Sequence, residues 1–327
     1  MKFMYNLQLF AGEMNTNVTS SEGLSKEMKT YYSDYLIDNA IPKLVHDQFG
    51  QKHPIPKNGG KTIEFRKYSP LPKLTTPLQE GVTPDGQSLN MSTVEATVAQ
   101  YGGYITLSDM LLLTAIDNNL VQATKLLGAQ AGATLDTITR EVLNGGTNVI
   151  YSGGKDARGD LDATSLLTVD DIKKAVRLLK SQNAEQISGS WVGIINPDVA
   201  YDLTNDPAWK DVKTYSDPDD LYEGEIGKIF GVRFVETTEA KVWAGAGNGG
   251  RAVYSTIILG DNAYGTTEIT GGGLEHIVKQ LGSAGTADAL NQRATAGWKA
   301  TKVAERLVEN YMVRIESAST FNPATNN

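Results

Sequence analysis

His46, His53 and His276 are the only imidazoles in the 327 residues, and there is no cysteine. Two imidazoles can share a metal ion when they lie four positions apart on a helix or alternate along a strand. None of the three stands in an HExxH or His-x-His spacing, so no metal centre is expected. Without cysteine the chain can form no disulfide, thiolate nucleophile or sulfur-ligated zinc. A Ser-His-Asp triad is an arrangement in space that one dimension does not reveal, and Ser-Lys dyads are equally invisible. The GxSxG elbow that presents a nucleophilic serine is, however, absent.

Two further segments carry residue types that could do chemistry. Gly245-Ala246-Gly247-Asn248-Gly249-Gly250 fits GxGxxG. Pyrophosphate binding needs that loop to leave a strand and open a helix, so that backbone amides face the phosphates. The residues that follow, Arg251 to Leu259, read as a strand, so a β-hairpin loop is expected instead. No Walker A sequence occurs. Asp217, Asp219, Asp220, Glu223 and Glu225 could offer oxygen ligands to Ca²⁺, but not in EF-hand order, and a solvated acidic loop is expected. Asn17-Val18-Thr19 and Asn90-Met91-Ser92 fit the glycosylation pattern, which matters only on a secretory route. Asn6 and Gln8 interrupt the apolar stretch a signal peptide would need in residues 1 to 12, so no such route is read. No catalytic, cofactor-binding or metal-binding residue is assigned, and the chain is read as a non-enzyme.

Composition agrees. A formal net charge of −8 repels phosphate backbones and argues against tight nucleic-acid binding. With 40% hydrophobic residues, a chain this long buries roughly 75% of the surface its unfolded form exposes. No run approaches the roughly 18 apolar residues of a membrane-spanning helix, so a soluble protein made in the cytoplasm is expected.

The elements that would position these residues follow from periodicity. Residues 13 to 60 begin polar and end in a Pro- and Gly-punctuated run, an arm with one short helix. Lys61 to Tyr68 alternates, with Ile63 and Phe65 on one face, and Thr93 to Leu107 is β-rich in the same way. Ser69 to Ser92 between them holds Pro70, Pro72, Pro77 and Pro84 with no core pattern, and a long projecting loop is expected. Apolar positions from Leu111 to Val142 predict a single helix over 108–144, roughly 50 Å long, capped by Ser108 and stopped by a left-handed Gly145-Gly146. Gly128 and Gly132 predict a bend or a close backbone approach within it.

Thr168 and Asp171 open a second helix with Ile172, Ala175, Val176 and Leu179 on one stripe. A buried strand, Trp191 to Ile195, then leads into a helix with Asn196 as N-cap and Pro197 in first position. Residues 224–237 predict a short helix ending at Gly231 and a strand from Val232 to Val235. This middle part reads as an α/β lobe. Residues 297–308 fit helix or strand, and Tyr311, Val313 and Ile315 alternate as a strand.

An arm, a long two-stranded loop, a spine helix, an α/β lobe and a return strand together resemble the major capsid protein of tailed bacteriophages, the Hong Kong 97-type fold. GEIGKIFGVRFVET at 224–237 and GWKATKVAERLVENYMVRIES at 297–317 resemble, more narrowly, the capsid family named after coliphage N-four. NLQLFAG at 6–12 is common in phage virion genes. The resemblance implies an α+β fold: an N-terminal arm at 1–60, E-loop strands and projecting loop at 61–107, a P-domain at 108–165 and 290–327, and an A-domain at 166–289. It implies a non-enzymatic shell protein without cofactor that assembles with itself as pentamers and hexamers and encloses DNA without reading its sequence. Portal, scaffold and decoration proteins would be its partners in the virion, and a membrane would not. Only a dozen or so residues precede the arm, so no fused scaffold is expected. Leu74, Leu78, Glu80, Asp85 and Leu89 are the candidate contacts with a neighbouring subunit. Lys57, Lys61 and Lys67 lie near the loop, and none is assigned as a crosslinking nucleophile. Two other readings are an encapsulin-like compartment, which would share the fold, and a nucleotide-binding α/β enzyme using the Gly245 to Gly250 loop.

Overall fold

The computed structural model describes residues 16–17, 45–77, 80–81, 83, 85–115, 119–210, 227–270, 273–283, 288–323 and 325–327. The arm's expected short helix and the acidic run at 217–225 lie outside them. In chain order the first strands are β1 (Thr16–Asn17), β2 (Gln51–Lys52), β3 (Thr62–Tyr68), β4 (Met91–Thr97) and β5 (Ala99–Ser108). Then come α1 (Asp109–Thr114), α2 (Asn119–Asn144), β6 (Val149–Tyr151), α3 (Val169–Ser181), β7 (Trp191–Ile195) and α4 (Pro197–Asn205). The remaining strands are β8 (Lys228–Ile229), β9 (Val232–Glu236), β10 (Val242–Trp243), β11 (Val253–Leu259), β12 (Tyr264–Thr267), β13 (Glu275–Lys279), β14 (Arg293–Arg306) and β15 (Met312–Ser317). They fall into two compact units, residues 1–44, 100–136 and 272–301, and residues 45–99, 137–271 and 302–327.

In the first unit, β5 runs between β1, its parallel neighbour, and β14, whose other edge pairs antiparallel with β13. Alternation explains the choice of strand over helix at 293–306: Ala294, Ala296, Trp298 and Ala300 recur every second residue and are buried. Leu127 and Ala131 of α2 pack on Ala296, Trp298 and Ala300. The indole N–H of Trp298 donates to Gln130 Oε1 at 3.1 Å, which removes the cost of burying it. Ser108 caps α1 as expected, its hydroxyl accepting from Leu111 N.

The single helix expected over 108–144 is two helices. At Ala115 the backbone is extended, φ −71° and ψ 139°. Thr114 is a poor helix former whose side chain competes for backbone hydrogen bonds, its hydroxyl donating to Met110 O. Apolar spacing hides such a break because Leu111 and Leu120 keep their places on either side of it. A Cβ at Gly128 would meet nothing within 4 Å, so this glycine marks no close approach.

The second unit is built on a mixed sheet in the order β6-β15-β11-β7-β9-β8, with β10 also on β11. β7 and β9 are parallel and joined across α4, while β11 is antiparallel to both β7 and β15. Trp191 and Ile195 of β7 face a core completed by Ile172, Ala175, Val176 and Leu179 of α3 and by Val199 and Leu203 of α4. Val192 and Ile194 face the opposite core, with Leu143, Ile257, Leu259 and Met312. A strand covered on both faces is buried at every position, which is why WVGII and VYSTIIL show no alternation of apolar and charged residues. Thr168 and Asp171 form the expected capping box, and Asn196 and Pro197 start α4 as expected.

Two local expectations fail here. The strand expected from Val232 is β9, but in place of the short helix before it Lys228 and Ile229 pair with β9 as a hairpin: Phe230 and Gly231 have φ of 48° and 82°, the paired left-handed turn that matches strand twist. Gly145 and Gly146 follow the end of α2 without a left-handed stop. A Cβ at Gly145 would stand 2.6 Å from Arg306 Nη1 and one at Gly146 2.7 Å from Glu309 Oε1, so a side chain at either position would displace those side-chain ends.

Candidate assembly surface

β3 and β4 pair antiparallel from Thr62↔Thr97 to Tyr68↔Met91 and hydrogen-bond with no further described strand. An isolated two-stranded ribbon is marginally stable in water, so its base must be held. Ile63, Phe65, Val94 and Ala96 share the face that is partly covered, and Phe65 is the anchor. Its ring lies edge-on to His53 at 5.7 Å, and a Cβ on Gly265 would stand 3.2 Å from its Cζ. A side chain at 265 would crowd the ring, which would have to give by a few tenths of an ångström. A groove of about 460 Å³ lines this base, between Phe65, Val94, Gln51, Leu307 and Val308.

Beyond the base the ribbon's described residues are exposed. Glu64 and Glu95 lie directly opposite each other on the outer face, a destabilising like-charge pair relieved only by Arg66 at 3.5 Å from Glu64. Towards the tip Tyr68 and Met91 pair across the strands, both exposed, and Leu71, Leu74 and Leu89 follow. Leu74 is 78% and Leu89 71% exposed, and Glu80 and Asp85 are also exposed. Leu78, the other candidate contact, lies outside the described residues. Five large exposed apolar side chains thus lie along the ribbon and its loop. Lys57, Lys61 and Lys67 are exposed near the ribbon.

The remaining candidates go elsewhere. Gly245 to Gly250 is the β10–β11 hairpin connection, as expected. Its amides are engaged: Gly247 N donates to Arg251 O and Asn248 N to Leu161 O, both at 2.8 Å, and Gly250 N donates to Gly247 O. A strand follows rather than a helix, so the loop has no phosphate cradle of the dinucleotide type. His46 is buried, and His53 and His276 are exposed on separate strands or loops. Among the described residues no cluster of three His, Asp or Glu side chains could hold a metal ion, and no helix is long and apolar enough to cross a membrane.

Sequence reasoning missed the polar centre of the second unit. Glu316 is wholly buried and accepts from Arg158 Nε and Nη2, both at 2.7 Å, and from Arg314 Nε at 2.8 Å. Arg158 stacks on Trp243 at 3.7 Å, while Arg314 donates to the carbonyls of Asn144 and Gly146. The two arginines thus tie β15 to the end of α2 and to residue 158. Alternation in MVRIES, which puts Arg314 and Glu316 on the face of buried Met312, was the only hint. At the surface, burial opposes charge on Glu141, yet hydrogen bonds from Lys241 and Arg140, both at 2.9 Å, outweigh it and hold the carboxyl below its ordinary value.

A sheet-centred lobe carrying a long two-stranded ribbon with an uncovered apolar end defines a subunit of the Hong Kong 97 type. Solved structures with this fold superpose over nearly the whole chain. The capsid of cyanophage P-SCSP1u, at 13% identity, covers 92% of this chain and 96% of its own, with a TM-score of 0.69. The capsid of Ralstonia phage GP4, at 14%, covers 94% and 100%, with a TM-score of 0.69. The capsid of cyanophage Pam1, at 14%, covers 90% and 97%, with a TM-score of 0.70. No curated protein matches the sequence. Residues 113–277 match the family described as phage capsid protein, and the chain belongs to that family. It is a major capsid protein, a structural component of the phage head.

Proposed function

We propose that copies of this chain build the icosahedral shell of a tailed-phage head, as pentamers and hexamers, with the 69–90 loop of each subunit lying over its neighbour. The observation that carries this reading is the uncovered ribbon. Tyr68, Leu71, Leu74, Leu89 and Met91 are exposed among the described residues and would gain burial against another molecule, each such side chain being worth roughly 1.5–3 kcal/mol when buried. In this reading residues 1–60 are the arm, 61–107 the E-loop, 108–165 and 290–327 the P-domain and 166–289 the A-domain. Leu74, Leu78, Glu80, Asp85 and Leu89 touch the adjacent subunit. Assembly takes place in the host bacterial cytoplasm with portal and scaffold proteins, decoration proteins join the finished head, and no catalytic step is required of the subunit. A net charge of −8 lets the shell enclose DNA without gripping it.

Electron microscopy of the purified protein, with size-exclusion chromatography, tests the reading. Closed shells, tubes or capsomer-sized rings are expected, and Leu74→Asp with Leu89→Asp removes them while the subunit stays folded. A compact monomer at every salt and pH, with or without co-expressed scaffold, contradicts it.

A further inference from the structure

The flank of α3 beside its core stripe carries Lys173, Arg177 and Lys180, all exposed. Spacings of four and three place the three cations in one row along the helix. Beside the row stands the β8–β9 turn with Phe230, and between helix and turn runs an open groove of about 550 Å³ bordered by Trp191, Gln186 and Gly231. Lys173 Nζ lies 4.8 Å from the centre of the Phe230 ring and Lys180 Nζ 5.5 Å from that of Trp191. The ion pairs on this helix belong to Lys174, with Asp170 and Asp171. Among the described residues no carboxylate forms an ion pair with Lys173, Arg177 or Lys180. A concentrated positive groove on a molecule of net charge −8 is an anomaly that asks for an anionic occupant.

We propose that this groove receives the acidic segment holding Asp217, Asp219, Asp220, Glu223 and Glu225 of a neighbouring copy of the chain. The inference rests on the shell-subunit reading. Single-stranded nucleic acid would use free aromatic faces for stacking, but ammonium groups already sit over both rings, so the groove offers charge and a guanidinium fork, which suit carboxylates. The segment supplies carboxylates with a single lysine, Lys213, between residues 211 and 226. Every copy carries one groove and one segment, and a head-to-tail contact between two different patches closes rings when repeated by rotation.

Charge reversal tests it. The groove variant is Lys173→Glu, Arg177→Glu and Lys180→Glu, and the segment variant is Asp217→Lys, Asp219→Lys and Asp220→Lys. Each alone is expected to lower the association constant between subunits about tenfold, what two or three partly exposed ion pairs contribute, with a weaker salt dependence than wild type. An equimolar mixture of the two variants recovers association, because each groove then finds a segment of opposite sign on the other chain. Recovery when both reversals share one chain but not in the mixture places the segment in its own groove and overturns the contact between copies. A groove variant that associates like wild type overturns it as well, as does wild-type binding to single-stranded DNA that the groove variant loses with association intact. Lys173→Gln, Arg177→Gln and Lys180→Gln gives the same readings should the glutamate variant misfold. A wild-type chain that never associates overturns the shell reading itself, whereas normal wild-type shells with an indifferent groove overturn this contact alone.

Discussion

β11 and β3 are both seven residues long, yet β11 is buried at all seven positions and β3 at none. β11 lies between β15 and β7 with apolar cores on both faces, whereas β3 has one neighbour and one anchored ring. The lobe therefore has its stability within its own borders. The ribbon is held at Phe65 and depends for the rest on what comes to meet it. A single chain can thus be folded and incomplete at once.

The sharpest way to break this contrast is at the lobe's charged centre. Glu316→Ala leaves Arg314 buried without its carboxylate and is expected to cost about 3–5 kcal/mol in chemical denaturation. Ile172→Ala opens a cavity under α3 and is expected to cost about 2–5 kcal/mol in the same measurement. Thr168→Ala removes one side of the capping box and should cost about 1 kcal/mol, read from the urea midpoint.

Glu141→Gln tests the surface pairs. The carboxyl's acidity is enhanced in the folded chain, so its contribution is present above the ordinary value and lost as pH falls through the lowered one. The variant should be less stable by under about 1 kcal/mol at neutral pH, since the site is half exposed, and the gap to wild type should narrow as pH falls below the ordinary glutamate range and through the lowered value. The smallest effect is expected at the ribbon: Leu74→Asp with Leu89→Asp should move subunit stability by less than about 0.5 kcal/mol. A large loss there would mean that the loop packs within its own chain, and the contrast between lobe and ribbon would disappear.

Much of this was legible beforehand. Capping at Ser108, Thr168 and Asn196 is local chemistry, decided within three or four residues, and each cap stands where it was read. The buried runs at 191–195 and 253–259 and the alternation of 62–68 are equally local. The projecting loop was legible by the lack of any core pattern between two strands. Where reading failed, two backbone states satisfied the same apolar spacing. Residues 108–144 keep a helical pattern through a break at Ala115, and 228–229 pair with 232–233 as strands because Phe230 and Gly231 accept a turn. In the 93–107 run, read as one stretch, Val98 separates two strands that belong to different sheets.

By itself the sequence determined the element types with local causes, the absence of thiol chemistry and the surplus of negative charge, because each depends on residue identity or on neighbours a few positions away. Only the tertiary structure decided that 293–306 is a strand, that Arg158, Arg314 and Glu316 converge from positions far apart, and that Gly265 lies under Phe65. These are meetings of distant segments, and their energy comes from burying apolar surface and pairing charge out of water, which has no address in one dimension.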